Sequence, residues 1–189
     1  MKKRNFPLFF LVALIALFSC GKEDDPGGDN GTANYIKYDG VTYELSYGFL
    51  VYYGQYSGEG FSFNLYLVSD GIDFDAENWN FSGQGHGIFF ELFSPTEERL
   101  EAGTYTYEAE ETEDAFTFSW AAFMQELDLD DQTSTQINIT GGSVVVALSG
   151  STYTLTIDAV DINDKPITGN FIGILPRFNA DDLGKSETP

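Results

Sequence analysis

From Asn34 to Arg177 the chain alternates apolar and polar residues with period two. The runs are separated by short turn-forming clusters. Phe61, Phe63, Leu65 and Leu67 alternate with Ser62, Asn64, Tyr66 and Val68. Gly103 to Tyr107 sets Tyr105 and Tyr107 on one face and Thr104 and Thr106 on the other. Phe116, Phe118, Trp120 and Ala122 are expected to share a face, and Gly87 to Phe93 is apolar on both. Asp39-Gly40 between Tyr35–Tyr38 and Val41–Glu44 supplies the positive φ angles of a two-residue hairpin turn. Further strands are expected within Leu45 to Tyr53, Ile137 to Ile139, Val144 to Leu148, Tyr153 to Ala159 and Ile167 to Leu175. A helical period appears only weakly, around Thr96 to Leu100. Seventeen Phe and eleven Tyr suit pleated surfaces. The expectation is an all-β domain, 34–177: an antiparallel sandwich of about ten strands, with an up-and-down, lipocalin-like barrel as the alternative.

Ahead of this domain stand Lys2, Lys3 and Arg4, then an uncharged run from Phe6 to Phe18. That run is shorter than the ~20 residues a spanning helix needs and fits the apolar region of a signal peptide. Leu17-Phe18-Ser19-Cys20 resembles the bacterial lipobox. The resemblance implies cleavage after residue 19 and acylation of the Cys20 thiol and amine, a multi-chain anchor in the membrane. Cys20 is the only cysteine, so no intramolecular disulfide is available. Lys22, Glu23, Asp24 and Asp25 resemble the surface-export signal of Bacteroidota lipoproteins. This implies display on the outside of the outer membrane; the alternative is an anchor facing the periplasm. Residues 20–33 then form a flexible tether spanning roughly 20 Å, and 178–189 a polar tail.

Three pieces of the domain resemble small β-rich lipoproteins of the same phylum: YDGVTYEL (38–45), Gly-Thr-Tyr (103–105) and the stretch 141–175. These are turn and core residues. The resemblance implies a fold and carries no catalytic residue.

Charge narrows the partners. Cleavage after residue 19 removes three of nine basic residues and none of thirty acids, leaving a net formal charge of −24. No basic patch is available for phosphates, which argues against nucleic acid.

Chemistry-bearing candidates are few. His86, the only histidine, sits in a Gly-rich strand entry, and no Gly-x-Ser-x-Gly elbow exists. It reads as an ordinary hydrogen-bonding residue, and a zinc site lacks a second histidine or a free cysteine. Glu126, Asp128 and Asp130 would share a face of an extended strand. They loosely resemble the Glu-x-Asp-x-Glu motif of a laminarinase-like jelly-roll family, departing at Asp130. A carboxylate-based glycoside hydrolase is therefore a distant reading, and the chain is expected not to be an enzyme. Asp70, Asp73, Asp75 and Glu77 are weak Ca²⁺ candidates without EF-hand spacing; no other cofactor is expected. Tyr52, Tyr53, Tyr56 and Trp79 are aromatics in or beside loops, where rings stack on sugars or anchor a partner. The functional expectation is a surface lipoprotein whose β-domain binds a glycan or a protein. The alternative is an accessory envelope component without a soluble ligand.

Overall fold

The computed structural model describes residues 34–110 and 112–182. The expected signal peptide, lipidation site Cys20, export signal and tether, and the end of the expected tail, lie outside the described residues. The described chain is all-β, as the alternation requires. Twelve strands replace the expected ten or so: β1 (Tyr35–Tyr38), β2 (Val41–Glu44), β3 (Tyr47–Gln55), β4 (Phe61–Val68), β5 (Ile72–Asp75), β6 (Asn80–Ser94), β7 (Gly103–Tyr107), β8 (Thr117–Asp128), β9 (Thr133–Ser149), β10 (Thr152–Asp161), β11 (Pro166–Ile174) and β12 (Arg177–Asn179). No helix forms around Thr96–Leu100. The domain runs past Arg177 through β12 and a 3-10 turn to Asp182, so the expected tail begins later than residue 178. Among the described residues no helix is long and apolar enough to cross a membrane.

The hydrogen-bonded order is β12-β3-β4-β6-β8-β7-β9-β10-β11-β1-β2, with β5 paired to β6 off this path. All pairings are antiparallel except β3 with β12 and β7 with β8, so the sheet is mixed. It is one continuous path curled into a half-barrel around a single core. The first hairpin carries Asp39 at φ 50° and Gly40 at φ 79°, the positive pair expected from the sequence. Leu45 and Ser46 are not strand; they carry the chain from one end of the path to the other. Ser46 N–H donates to Val68 O (2.8 Å) and Leu45 N–H to Asn34 O (3.0 Å).

The concave face holds the core. Leu50, Phe63, Leu65, Phe90, Phe118, Phe123, Val144, Leu155, Ile157 and Phe171 are all essentially inaccessible. Each such side chain contributes about 1.5–3 kcal/mol by leaving water. Tyr38 and Tyr43, from β1 and β2, meet Phe123 of β8 edge-on, with ring centroids 6.1 and 5.0 Å apart. Tyr105 and Tyr107 both point into this core, as the alternation predicts.

Two bulges redirect side chains. Glu91 pairs with Trp120 but Leu92 with Phe118, so Ser119 is an extra residue in β8. Phe118 is consequently buried inside and Trp120 is 52% exposed on the convex face. Phe116, Phe118, Trp120 and Ala122 therefore do not share a face. In β3 the register shifts between Tyr52 and Gly54, leaving Tyr53 as the extra residue.

The β5–β6 hairpin folds back over the convex face. Phe74 stacks on Phe49 (centroids 4.2 Å, planes 5° apart), and Phe81 lies over Tyr66 at 5.5 Å. Phe178 of β12 closes the cluster against Phe49 at 5.9 Å. Glycine permits the fold-back: Gly83 has φ +94°, and a Cβ there would stand 2.1 Å from Gly71 O.

Candidate functional site

On the convex face the sheet register assembles a strip that the linear sequence does not show. Asn64, Glu91 and Trp120 lie directly opposite one another on β4, β6 and β8. The next row is Tyr66, Phe89, Ala122 and Asn138 on β4, β6, β8 and β9. Directly opposed residues point to the same side of a sheet, so these side chains form one surface. Trp120 rests on Phe89 with ring centroids 4.5 Å apart and planes tilted 57°. Small Ala122 beside it leaves the indole uncovered. The exposed amide of Gln136 donates to that of Asn138 (2.6 Å), placing two amides on the flank of the ring.

Tyr53, on the side of β3 opposite Tyr52, also faces this strip, beside Tyr66. Burial pushes the Tyr53 phenol up, and the nearby Glu91 carboxylate adds to the shift. Tyr66 is pushed up to about 12, chiefly by burial and then by Tyr53. Tyr56, 59% exposed, is also raised by partial burial and by Glu91. Its loop is clamped by Glu113, whose Oε2 accepts from Ser57 N–H (2.7 Å), Ser57 Oγ–H (2.8 Å) and Gly58 N–H (3.1 Å). These bonds, Ser57 N–H foremost, hold the Glu113 carboxyl below its usual range. Glu91 itself accepts from Ser62 Oγ at 3.4 Å. The strip thus combines an uncovered indole, a half-buried carboxylate, three tyrosines and three amides.

Beyond Trp120, toward the folded-back hairpin, the surface deepens into a groove of about 270 Å³. Its walls include Phe81, Met124, Leu127 and Leu129, and Gln136 stands at its polar side.

The aromatics expected at a ligand site divide between two faces. Tyr53 and Tyr56 lie on the strip. Tyr52 points the other way, tilted on Phe63 at 5.1 Å, with the Arg177 guanidinium carbon 4.5 Å above its ring. Trp79, half-buried at the hairpin tip, packs edge-on against Phe74 at 5.2 Å. Its ring fastens the hairpin and lines neither strip nor groove.

Glu126, Asp128 and Asp130 do not share a strand face. Glu126 has φ 50° in an irregular stretch of β8, and the strand ends at Asp128. Asp128 is engaged as a turn cap: Oδ1 accepts from Asp130 N–H (3.1 Å) and Asp131 N–H (3.0 Å), and Oδ2 from Gln84 Nε2 (2.7 Å). Asp75 likewise caps its turn, accepting from Glu77 N–H (3.0 Å), Asn78 N–H (3.2 Å) and Asn78 Nδ2 (2.6 Å). Those bonds, first the Asn78 side chain, hold its carboxyl low. Among the described residues no three Asp, Glu, His or Cys side chains are grouped to hold a metal, so Asp70, Asp73, Asp75 and Glu77 form no common cage. His86 hydrogen-bonds Glu44 O through Nε2 (2.7 Å) and packs edge-on against Tyr43 at 5.3 Å.

Trp120, Glu91 and Glu113 escaped the sequence reading. Trp120 was expected to share a face with Phe118, because the bulge at Ser119 leaves no local mark. Glu91 sits in a run that reads as wholly buried. No family model, no curated protein and no solved structure matches this chain.

Proposed function

We propose that this chain is a lipid-anchored lipoprotein of the outer membrane, displayed at the cell surface, whose β-domain is a glycan-binding module. The anchor rests on Leu17–Cys20 and on the acidic run with Lys22 that follows. The observation that carries the binding reading is Trp120: a large ring left uncovered on a sheet face, backed by Phe89, with Glu91 and the Gln136–Asn138 amides beside it. A sugar ring presents an apolar C–H face and a hydroxylated edge. The indole matches the first, and the carboxylate and amides match the second. Rigid strands hold all of these groups, so little side-chain ordering opposes binding.

A second reading is a protein partner, favoured by the adjoining apolar groove, which suits side chains of a docked segment better than a polyol. One comparison separates the two. Trp120→Ala should weaken binding on a glycan panel by about tenfold or more, the scale of an anchor side chain, and leave the melting midpoint nearly unchanged. Wild-type affinity in that variant would refute the assignment of the strip. No glycan binding by the wild-type domain would leave the protein reading. For the anchor, Cys20→Ala should abolish labelling by an alkynyl fatty acid. Alanine at Lys22, Glu23, Asp24 and Asp25 should keep the label but protect the domain from protease added to intact cells.

A further inference from the structure

Basic side chains are scarce here, nine against thirty acids, so where they stand decides what the strip attracts. Four of them fall among the described residues, and none is on the strip. Lys37 and Lys165 line a hollow beside the first hairpin, Lys165 Nζ 3.4 Å from an Asp39 carboxylate oxygen. Arg99 pairs with Glu101 at 2.8 Å. Arg177 lies over Tyr52 and Phe63 on the opposite face. The formal charge at the centre of the strip is that of Glu91. Its cross-strand neighbour Asn64 has a buried Oδ1 that receives no hydrogen bond from the protein.

A ligand carboxylate or sulfate above Glu91 would meet a like charge with no basic residue to offset it. An ammonium at the same place meets the carboxylate below. Trp120 stands directly opposite Glu91, and Tyr53 and Tyr56 lie near enough to feel its charge; aromatic faces attract cations. Resting on the glycan reading above, we infer that the strip selects sugars carrying a free amine, seated over Glu91, and rejects uronate and sulfated glycans. The N-acetylated form of the same sugar keeps the stacking face but loses the charge and two of its N–H donors. It is therefore the discriminating competitor.

The test is calorimetric titration of the full mature chain at 0.15 M salt, where attraction beyond ~8 Å is largely screened. The ligands are glucosamine hexamer, N-acetylglucosamine hexamer and a galacturonate hexamer. The amine oligomer should bind at least about tenfold more tightly than the acetylated one, as one charge-assisted contact implies, and the uronate should not bind. Glu91→Gln should bring the ratio of the first two near one. Asp158→Asn, at an exposed position of β10 several strands from Glu91, should leave the ratio intact. Equal binding of the two by wild type overturns the inference and spares the glycan reading. So does a ratio unchanged in Glu91→Gln, or one lowered equally by Asp158→Asn, which would assign the preference to diffuse net charge. No binding of any oligomer overturns both.

Discussion

Replacing Gly83 by alanine tests whether the fold-back of the β5–β6 hairpin is what shapes the convex face. Two costs arise at this position. Its φ of +94° is strained for any residue with a Cβ, costing about 1–3 kcal/mol. The new Cβ would also lie 2.1 Å from Gly71 O, a backbone atom that cannot rotate away. Relieving that overlap moves the Gly71 carbonyl and weakens the Gln84 N–H bond to it, now 3.0 Å, worth about 0.5–1.5 kcal/mol. The sum is about 2–4 kcal/mol, borne by a hairpin fastened to the sheet chiefly through Phe74 and Phe81. Gly54 is the control. Its φ is +92°, yet a Cβ there meets nothing within 4 Å, so Gly54→Ala carries the backbone strain alone. The expected result is faster amide exchange over residues 72–84 in Gly83→Ala than in Gly54→Ala, with loss of near-ultraviolet ellipticity from Trp79. Exchange in β9 and β10 should stay near wild type. If Gly83→Ala perturbs the hairpin no more than Gly54→Ala perturbs its own part of β3, the close approach to Gly71 does not hold the hairpin down.

Trp79→Ala removes a half-buried ring packed on Phe74. It should cost about 1–2 kcal/mol, below the 3–5 of a fully buried aromatic, and lower the melting midpoint by several degrees. An unchanged midpoint would return Trp79 to the exposed ligand contact expected from sequence. Ser94→Ala strips a buried hydroxyl that donates to Arg99 O (2.9 Å) and accepts from Glu101 N–H (3.1 Å). Leaving both partners unpaired should cost about 1–3 kcal/mol in urea unfolding, and a cost below ~0.5 would contradict the bonding described. The depressed Glu113 carboxyl stabilises the Tyr56 loop fully above the ordinary glutamate value of 4.5, and that contribution is lost as the pH falls through its lower folded value. Ser57 amide protection followed by NMR should drop on acidification in wild type and be low throughout in Glu113→Gln; identical profiles would refute the clamp.

The class of the fold was legible because its signals are local. Asp39-Gly40 turns the first hairpin whatever surrounds it, since positive φ at two successive residues is a property of those residues. The alternation of Phe63, Leu65 and Leu67 places all three in the core, because every second side chain of an extended strand shares a side. The site was not legible, because each step to it depends on pairing. One extra residue flips every side chain after it to the other face. The bulge at Ser119 exists only in register with Glu91 and Leu92 of β6, far away in sequence. Tyr53 leaves Tyr52 by plain alternation, but that it stands beside Glu91 depends on the pairing of β3 with β4 and of β4 with β6. The carboxylates of Glu126, Asp128 and Asp130 kept their spacing but lost the extended backbone that would align them, because the strand ends in a turn that Asp128 itself caps. Trp120, Glu91 and Asn64 come from three strands, and only their joint register makes them neighbours. Alternation along one strand specifies which side a residue takes; which residues then stand beside it is decided by hydrogen-bonded pairing between strands distant in sequence.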